Sequence, residues 1–204
     1  MILSYKDGNN GKVHIYIDGE YRATVDGDFW YSEGYRHKKE INEEELTELL
    51  SEVGFRRAYN KALDLLSRRP HGAFELQKKL RERDFSEEEA GRAVERLEEL
   101  GLINDEQFAV LLASELYERK GYSAKRIQQE LIFRGIDRQI SQNAVESIDI
   151  NAQNRIILLV RKKYLSKLQD EKGRQRTVDA LLRLGYSYGD IKSALEEIER
   201  EEDF

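Results

Sequence analysis

One spacing constrains this chain more than any other feature. Leu80-x3-Asp84-Phe85, Leu131-x3-Gly135-Ile136 and Leu181-x3-Gly185-Tyr186 follow one another at intervals of 51 and then 50 residues. The position four before each leucine reads Leu76, Ile127, Thr177, and an alanine-apolar pair follows at constant distance as Ala93-Val94, Ala144-Val145, Ala194-Leu195. One shared spacing is easily met by chance; ungapped agreement at five positions in three copies is not. Residues four apart share one face of a helix. A glycine just past the anchoring leucine can take the left-handed conformation that ends a helix, and the apolar residue after it folds back onto the last turn. The alanine-apolar pair then marks a second helix packed on the first. Upstream lies a further apolar helix in each copy, around Ala58 to Leu66, Phe108 to Leu116 and Ile156 to Leu168. The expected fold is therefore mainly α, three tandem three-helix repeats. Units this small bury little apolar surface alone, so neighbours are expected to stack into an elongated, curved body.

A different periodicity opens the chain. Val13, Ile15 and Ile17 alternate with polar residues, Asp18-Gly19 follows, and Tyr21, Ala23 and Val25 alternate again. Asp-Gly between alternating runs predicts a tight hairpin, because both turn positions need positive φ. Residues 1–6 can add a third strand, since a lone hairpin is marginal in water. Phe29, Trp30, Tyr31 and Tyr35 then read as a small apolar core rather than a stacking platform for bases. The expected organisation is a β-hairpin region over 1–41, a helical lead-in with the first repeat over 42–103, the second repeat over 104–150, and the third with an acidic tail over 151–204.

Helix borders are written into the sequence. Asn42 before Glu43-Glu44-Glu45 predicts a capped start, and Gly54 an end or kink. Pro70 forces a corner at Arg68-Arg69-Pro70-His71-Gly72. Ser86 followed by Glu89 has the form of a capping box. Asn104 or Asp105 starts the second repeat and Asn151 the third, whose Ile156-Ile157-Leu158-Leu159-Val160 run predicts full burial. Lys172-Gly173-Arg174-Gln175-Arg176 is a basic entry to the next helix. The most fully specified helix follows Gly121: Ser123 caps it, Ile127 and Leu131 form its apolar keel, and Gly135 ends it. Its opposite face carries Lys125, Arg126, Gln128, Gln129 and Arg134.

The net charge of −6 hides an asymmetry. Residues 1–54 carry 6 Lys/Arg against 12 Asp/Glu, and residues 196–204 carry 1 against 6. The intervening 55–195 carry 27 against 22. A mildly basic helical body between two acidic ends is either a set of solvated helix faces or a surface that meets a polyanion, with the ends limiting that encounter. With no cysteine, there is neither disulfide, thiolate metal site nor thiol nucleophile. No apolar run reaches membrane-spanning length and no signal pattern opens the chain, so a cytoplasmic protein is expected. His14, His37 and His71 are isolated, and there is no glycine-rich phosphate loop or serine elbow. No catalytic residue, cofactor site or metal site is predicted.

Three strings in order carry a resemblance. Ala62-Leu63-x2-Leu66-x-Arg68-Arg69-Pro70-His71-x3-Glu75-Leu76-x2-Lys79-Leu80 is followed by Leu97-x2-Leu100-Gly101-Leu102-Ile103-Asn104-Asp105-Glu106-x-Phe108-Ala109. Then comes Gly121-Tyr122-x3-Arg126-Ile127-x2-Glu130-Leu131-x3-Gly135-Ile136. Together they resemble the bacterial RecX family of recombination regulators over about residues 58–200. Asp84 departs from the expected glycine, Gly72 stands where a serine cap is common, and the third repeat is weaker in pattern. The resemblance implies a monomeric protein that binds the RecA recombinase filament on single-stranded DNA. It implies inhibition of filament growth, strand exchange, ATP hydrolysis and coprotease activity, with weak direct DNA binding a further possibility.

The residues expected to carry the filament or DNA contact are Arg68, Arg69, Lys78, Lys79, Arg119, Lys120, Lys125, Arg126 and Arg134, because exposed cations give salt-sensitive, sequence-independent phosphate binding. Lys125-Arg126 beside Arg119-Lys120 is the strongest cluster. The alternative is a helix-turn-helix-like module acting directly on DNA, which needs hydrogen-bonding side chains aimed at base edges. Gln128 and Gln129 fit that role, without counterparts in the other repeats.

Overall fold

The computed structural model describes residues 1–148 and 150–202. Asp149 in the second repeat and the last two residues of the acidic tail, Asp203 and Phe204, lie outside the described residues. Contacts divide the chain into two compact units, 1–69 with 76–102, and 70–75 with 103 onward.

The first unit opens with an antiparallel sheet of order β1-β2-β3: β1 Leu3–Asp7, β2 Lys12–Ile17 and β3 Glu20–Asp26. Asp18 and Gly19 take φ of 50° and 84°, the paired positive values that the tight turn demands. The expected third strand is present, with Leu3 opposite Ile17 and Asp7 opposite Val13. The inward alternates Val13, Ile15 and Ile17 are buried with Phe29 and Trp30 of the short helix α1, Gly27–Ser32. Tyr35 stacks on Trp30 at 5.4 Å between ring centroids. Phe29, Trp30 and Tyr35 are core as expected, but Tyr31 is not: it is 44% exposed and its hydroxyl donates to Asp7 at 2.6 Å.

Helix α2, Glu43–Leu66, begins with a capping box: Asn42 accepts from the Glu45 N–H, and the Glu45 carboxylate accepts from the Asn42 N–H. The Lys38 ammonium and that backbone donor hold the Glu45 carboxyl below the usual carboxylate range. Gly54 neither ends nor kinks α2, which runs through it without a break. The reason is packing. Gly54 is buried, and a Cβ there would run into the Glu89 side chain at the start of helix α4, Glu87–Glu99. Ser86 and Glu89 complete the second capping box. Helix α3, Ala73–Arg81, precedes it and buries Leu76 and Leu80.

The second unit contains α5 (Asp105–Glu115), α6 (Ala124–Phe133), α7 (Arg138–Glu146), α8 (Ala152–Lys163), α9 (Glu171–Arg183) and α10 (Tyr188–Glu202). Two apolar cores sit in it. One gathers Phe108, Leu112, Leu116, Ile127, Leu131, Ile136 and Ala144. The other gathers Ile156, Val160, Val178, Leu181, Tyr186, Ile191, Ala194 and Ile198.

The repeat is visible in the burial and in the backbone. Leu76, Ile127 and Thr177 are fully buried, as are Leu80, Leu131 and Leu181. Phe85, Ile136 and Tyr186 each donate a backbone N–H to the carbonyl of the anchoring leucine, five residues back, at 3.4, 3.1 and 3.3 Å. That bond is the signature of a helix closed by a left-handed residue; Asp84, Gly135 and Gly185 supply it with φ of 63°, 85° and 93°. Ser86, Asp137 and Ser187, one register position further on, all cap the next helix.

Two expectations need correction in the third repeat. Leu158 is 58% exposed, because the helical period turns one residue of a five-residue apolar run outward. Helix α8 stops at Lys163 and a separate 3-10 turn covers Leu165–Lys167, so the helix does not reach Leu168. The basic string 172–176 forms the entry to α9 as expected, within its first turns, and Asp170 caps the helix by accepting from the Gly173 N–H.

Candidate functional site

The site is built where α5 passes into α6. After Glu115 the helix widens into one π-helical turn, Leu116–Lys120, and closes at Gly121 with φ 72°. Single π turns are uncommon and cluster at functional positions. This one ends in Arg119 and Lys120, both exposed. Ser123 then accepts from the Arg126 N–H at 3.2 Å and starts α6, whose first turn presents Lys125 and Arg126 to solvent. Four cations thus stand on eight consecutive residues.

The turn is fixed from beneath by the third repeat. The Arg155 guanidinium donates to the carbonyls of Tyr117 and Glu118 at 2.6 and 2.5 Å, and its Cζ lies 4.8 Å from the centre of the Tyr117 ring. The Tyr186 hydroxyl donates to the Gly121 carbonyl at 3.0 Å, and the Ser123 N–H donates to the Leu184 carbonyl at 3.0 Å. Carbonyls freed at the end of a helix need partners of this kind. Burial pushes the Tyr186 phenol up to about 12, so it remains a donor across the physiological range.

Of the four cations, Arg119 pairs with Glu115 at 3.0 Å. The Arg126 guanidinium lies 5.6 Å over the Tyr122 ring. Lys120 and Lys125 form no ion pair among the described residues. Arg134 stands at the far end of α6, about 12 Å from Arg126 by helical rise, half-buried and bonded to Glu130 at 3.1 Å. The remaining candidates belong to the first unit. Arg68 is exposed and pairs with Asp64 at 3.0 Å, where Lys61 and Arg68 hold the carboxyl below its ordinary range. Arg69 is exposed at the Pro70 corner. On α3, Lys78 is exposed and Lys79 half-buried, and neither ammonium has an ion-pair partner among the described residues. The structure therefore brings Arg119, Lys120, Lys125 and Arg126 together on one turn; it places Arg134 at the other end of the same helix.

Arg155 and Tyr186 were not legible as anchors. Tyr186 occupies a repeat position where Phe85 and Ile136 are apolar; its extra hydroxyl was the available signal. Arg155, a cation at the edge of the Ile156–Val160 run, was the other. The acidic tail also differs from a loose end. Within α10, Glu199 pairs with Arg174, Glu201 with Arg161, and Glu197 accepts from Gln153. Much of its negative charge is engaged inside the third repeat. No helix among the described residues is long and apolar enough to cross a membrane.

Comparison with known proteins places these elements in a family. The model for RecX, first three-helix domain, matches residues 58–97, and that for RecX, second three-helix domain, matches 104–145. Regulatory protein RecX of Caldanaerobacter subterraneus subsp. tengcongensis is 34% identical over 143 residues, covering 70% of this chain and 72% of that protein. Regulatory protein RecX of Clostridium perfringens (strain SM101) is 30% identical over 185 residues, 88% of this chain and 86% of that one. The Bacillus subtilis protein of the same name is 26% identical over 204 residues, 98% and 77%. A crystal structure of regulatory protein RecX superposes with a TM-score of 0.68 at 22% identity, covering 94% of this chain and 98% of its own. That of RecX from Lactobacillus salivarius gives 0.61 at 24%, over 72% and 97%. These two likenesses are of fold.

Proposed function

The chain belongs to the RecX family of regulatory proteins, and on that premise we propose that it binds the RecA recombinase filament on single-stranded DNA and restrains its growth and activities. It acts by binding, not by catalysis, as a cytoplasmic monomer. The observation that carries this reading is the basic turn at 119–126. Three of its four cations, Lys120, Lys125 and Arg126, have no carboxylate among the described residues to displace, and Arg155 and Tyr186 hold its backbone in place. A preorganised cationic turn loses little entropy on meeting phosphate, and each phosphate contact adds salt dependence without sequence preference. Lys78 and Lys79 offer a second contact of the same chemistry, and several weak contacts on one chain reinforce each other. Gln128 and Gln129 are too few to read base edges, so direct sequence recognition is the weaker alternative.

The test is single-strand-dependent ATP hydrolysis by the cognate RecA, with the full chain titrated in. Inhibition at well below one copy per recombinase is expected. A Lys125→Glu, Arg126→Glu double variant is expected to lose about tenfold or more in potency at low salt. Inhibition only at amounts that coat the DNA would point to competition for single strands. No inhibition at any ratio would overturn the reading.

A further inference from the structure

We propose that the first unit carries a phosphate-binding cleft, separate from the basic turn, that takes the phosphate of a nucleotide. The cleft lies between the edge strand β3 and helix α2 and has a volume of about 390 Å³. That is within the range of small-molecule sites, about 300–1,000 Å³, and larger than a bare phosphate needs. Val25 and Val53 contribute apolar wall, and Phe85 an aromatic edge.

The cations that line it are unequal. Lys12 is paired with Asp26 at 2.5 Å, Lys61 with Asp64 at 2.6 Å, and Arg56 with Glu52 at 2.8 Å. Arg57 alone among them makes no ion pair or hydrogen bond with the described residues. Its guanidinium lies 5.8 Å over the Phe85 ring. A guanidinium resting on a ring keeps its in-plane N–H fork free, and that fork matches two oxygens of a phosphate. The two lysine pairs are at the surface, where such bridges contribute little; an arriving dianion can share Lys12 and Lys61 with their carboxylates. Four cations against Asp26 and Asp64 leave the lining positive. The volume beyond the phosphate, walled by the valines, suits the attached sugar and base. The phosphate can come from a free nucleotide or from a single strand, and the chemistry at Arg57 is the same.

Isothermal titration calorimetry of the full chain, without recombinase, tests this with three phosphate probes, inorganic phosphate, thymidine monophosphate and a short oligothymidylate, and with succinate as a dicarboxylate control. Arg57→Gln keeps much of the stem and removes the charge. It is expected to bind about tenfold to a hundredfold more weakly, the loss of a charge-assisted pair. Arg57→Lys, which keeps the charge without the fork, should fall between. Lys125→Gln at the basic turn should leave mononucleotide binding unchanged. Arg57-dependent binding of the mononucleotide identifies a free nucleotide as the ligand; Arg57-dependent binding of the oligonucleotide alone identifies the strand. The proposal is overturned by no heat with any probe at millimolar concentration, by Arg57→Gln binding within twofold of the parent, or by tighter binding of a dicarboxylate such as succinate, which would point to an acidic peptide. The outcome is independent of RecA inhibition, so either proposal can fail without the other.

Discussion

Gly135→Ala is the substitution that most directly tests how the repeats fit together. Gly135 has a φ of 85°, so alanine there is strained by about 1–2 kcal/mol. The new Cβ would also lie 2.3 Å from the nearest atoms of the Phe74 ring, which no side chain tolerates without movement. Overpacking of that kind costs about 1–3 kcal/mol. Phe74 is 52% exposed, so its ring can swing aside, but its Cβ would stay 2.5 Å from the new one and the middle of that range applies. The expected loss is about 3 kcal/mol, a large part of the roughly 5–15 kcal/mol that holds a domain folded. Urea unfolding followed by far-ultraviolet circular dichroism measures it. The double variant Phe74→Gly, Gly135→Ala, measured against Phe74→Gly alone, separates the two causes: removing the whole side chain should return about 1–2 kcal/mol and leave the backbone strain. Asp84→Ala, at the equivalent exposed position, should cost less than about 1 kcal/mol, because aspartate already bears most of the left-handed strain. If Gly135→Ala costs the same with and without the Phe74 side chain, close approach is not why that position is glycine.

Two further predictions concern supports that the third and second repeats supply. Asp105→Ala removes the carboxylate oxygen that accepts from the Ala73 N–H at 2.8 Å; loss of a cap costs about 1 kcal/mol, read as a lower urea midpoint, and Asp105→Asn should retain most of it. Tyr186 binds its proton more tightly in the folded chain than a free tyrosine does, with its pKa pushed up to about 12 by burial. Its stabilisation is therefore complete below about pH 10 and is lost as pH rises through about 12. Absorbance at 295 nm should show Tyr186 as the last tyrosine to titrate, after Tyr31 and Tyr35, which are also raised, and Tyr186→Phe should abolish both that last step and the associated fall in stability.

Much of this was readable from residues alone, and the reasons are local. Asp18-Gly19, Asn42 with Glu45, Ser86 with Glu89, Ser123 and Gly135 each act within a turn of themselves, so their chemistry survives without knowledge of the fold. The repeat positions were readable because burial at Leu80, Leu131 and Leu181 obeys one period. What escaped was decided by distant neighbours. Gly54 looked like a helix end, but it makes room for Glu89. Gly72 looked like a missing cap, but Asp105 supplies one from 32 residues away. The basic turn was found from its composition, while Arg155 and Tyr186, which fix its backbone, reach it across 38 and 65 residues. Arg57 is set apart only by the Phe85 ring beyond the end of α3 and by the ion pairs of the lysines around it.

These supports all run backwards along the chain. A ribosome delivers the start of α3 before the carboxylate that caps it, and delivers the 116–121 turn before Arg155 or Tyr186 exists. During synthesis the N–H of Ala73 and the carbonyls of Tyr117, Glu118 and Gly121 must be satisfied by water until the later helices emerge. The last helices are thus the finishing step for the segments before them. A transcript cut short within the third repeat would yield a chain that has its basic residues and lacks the groups that hold them in place.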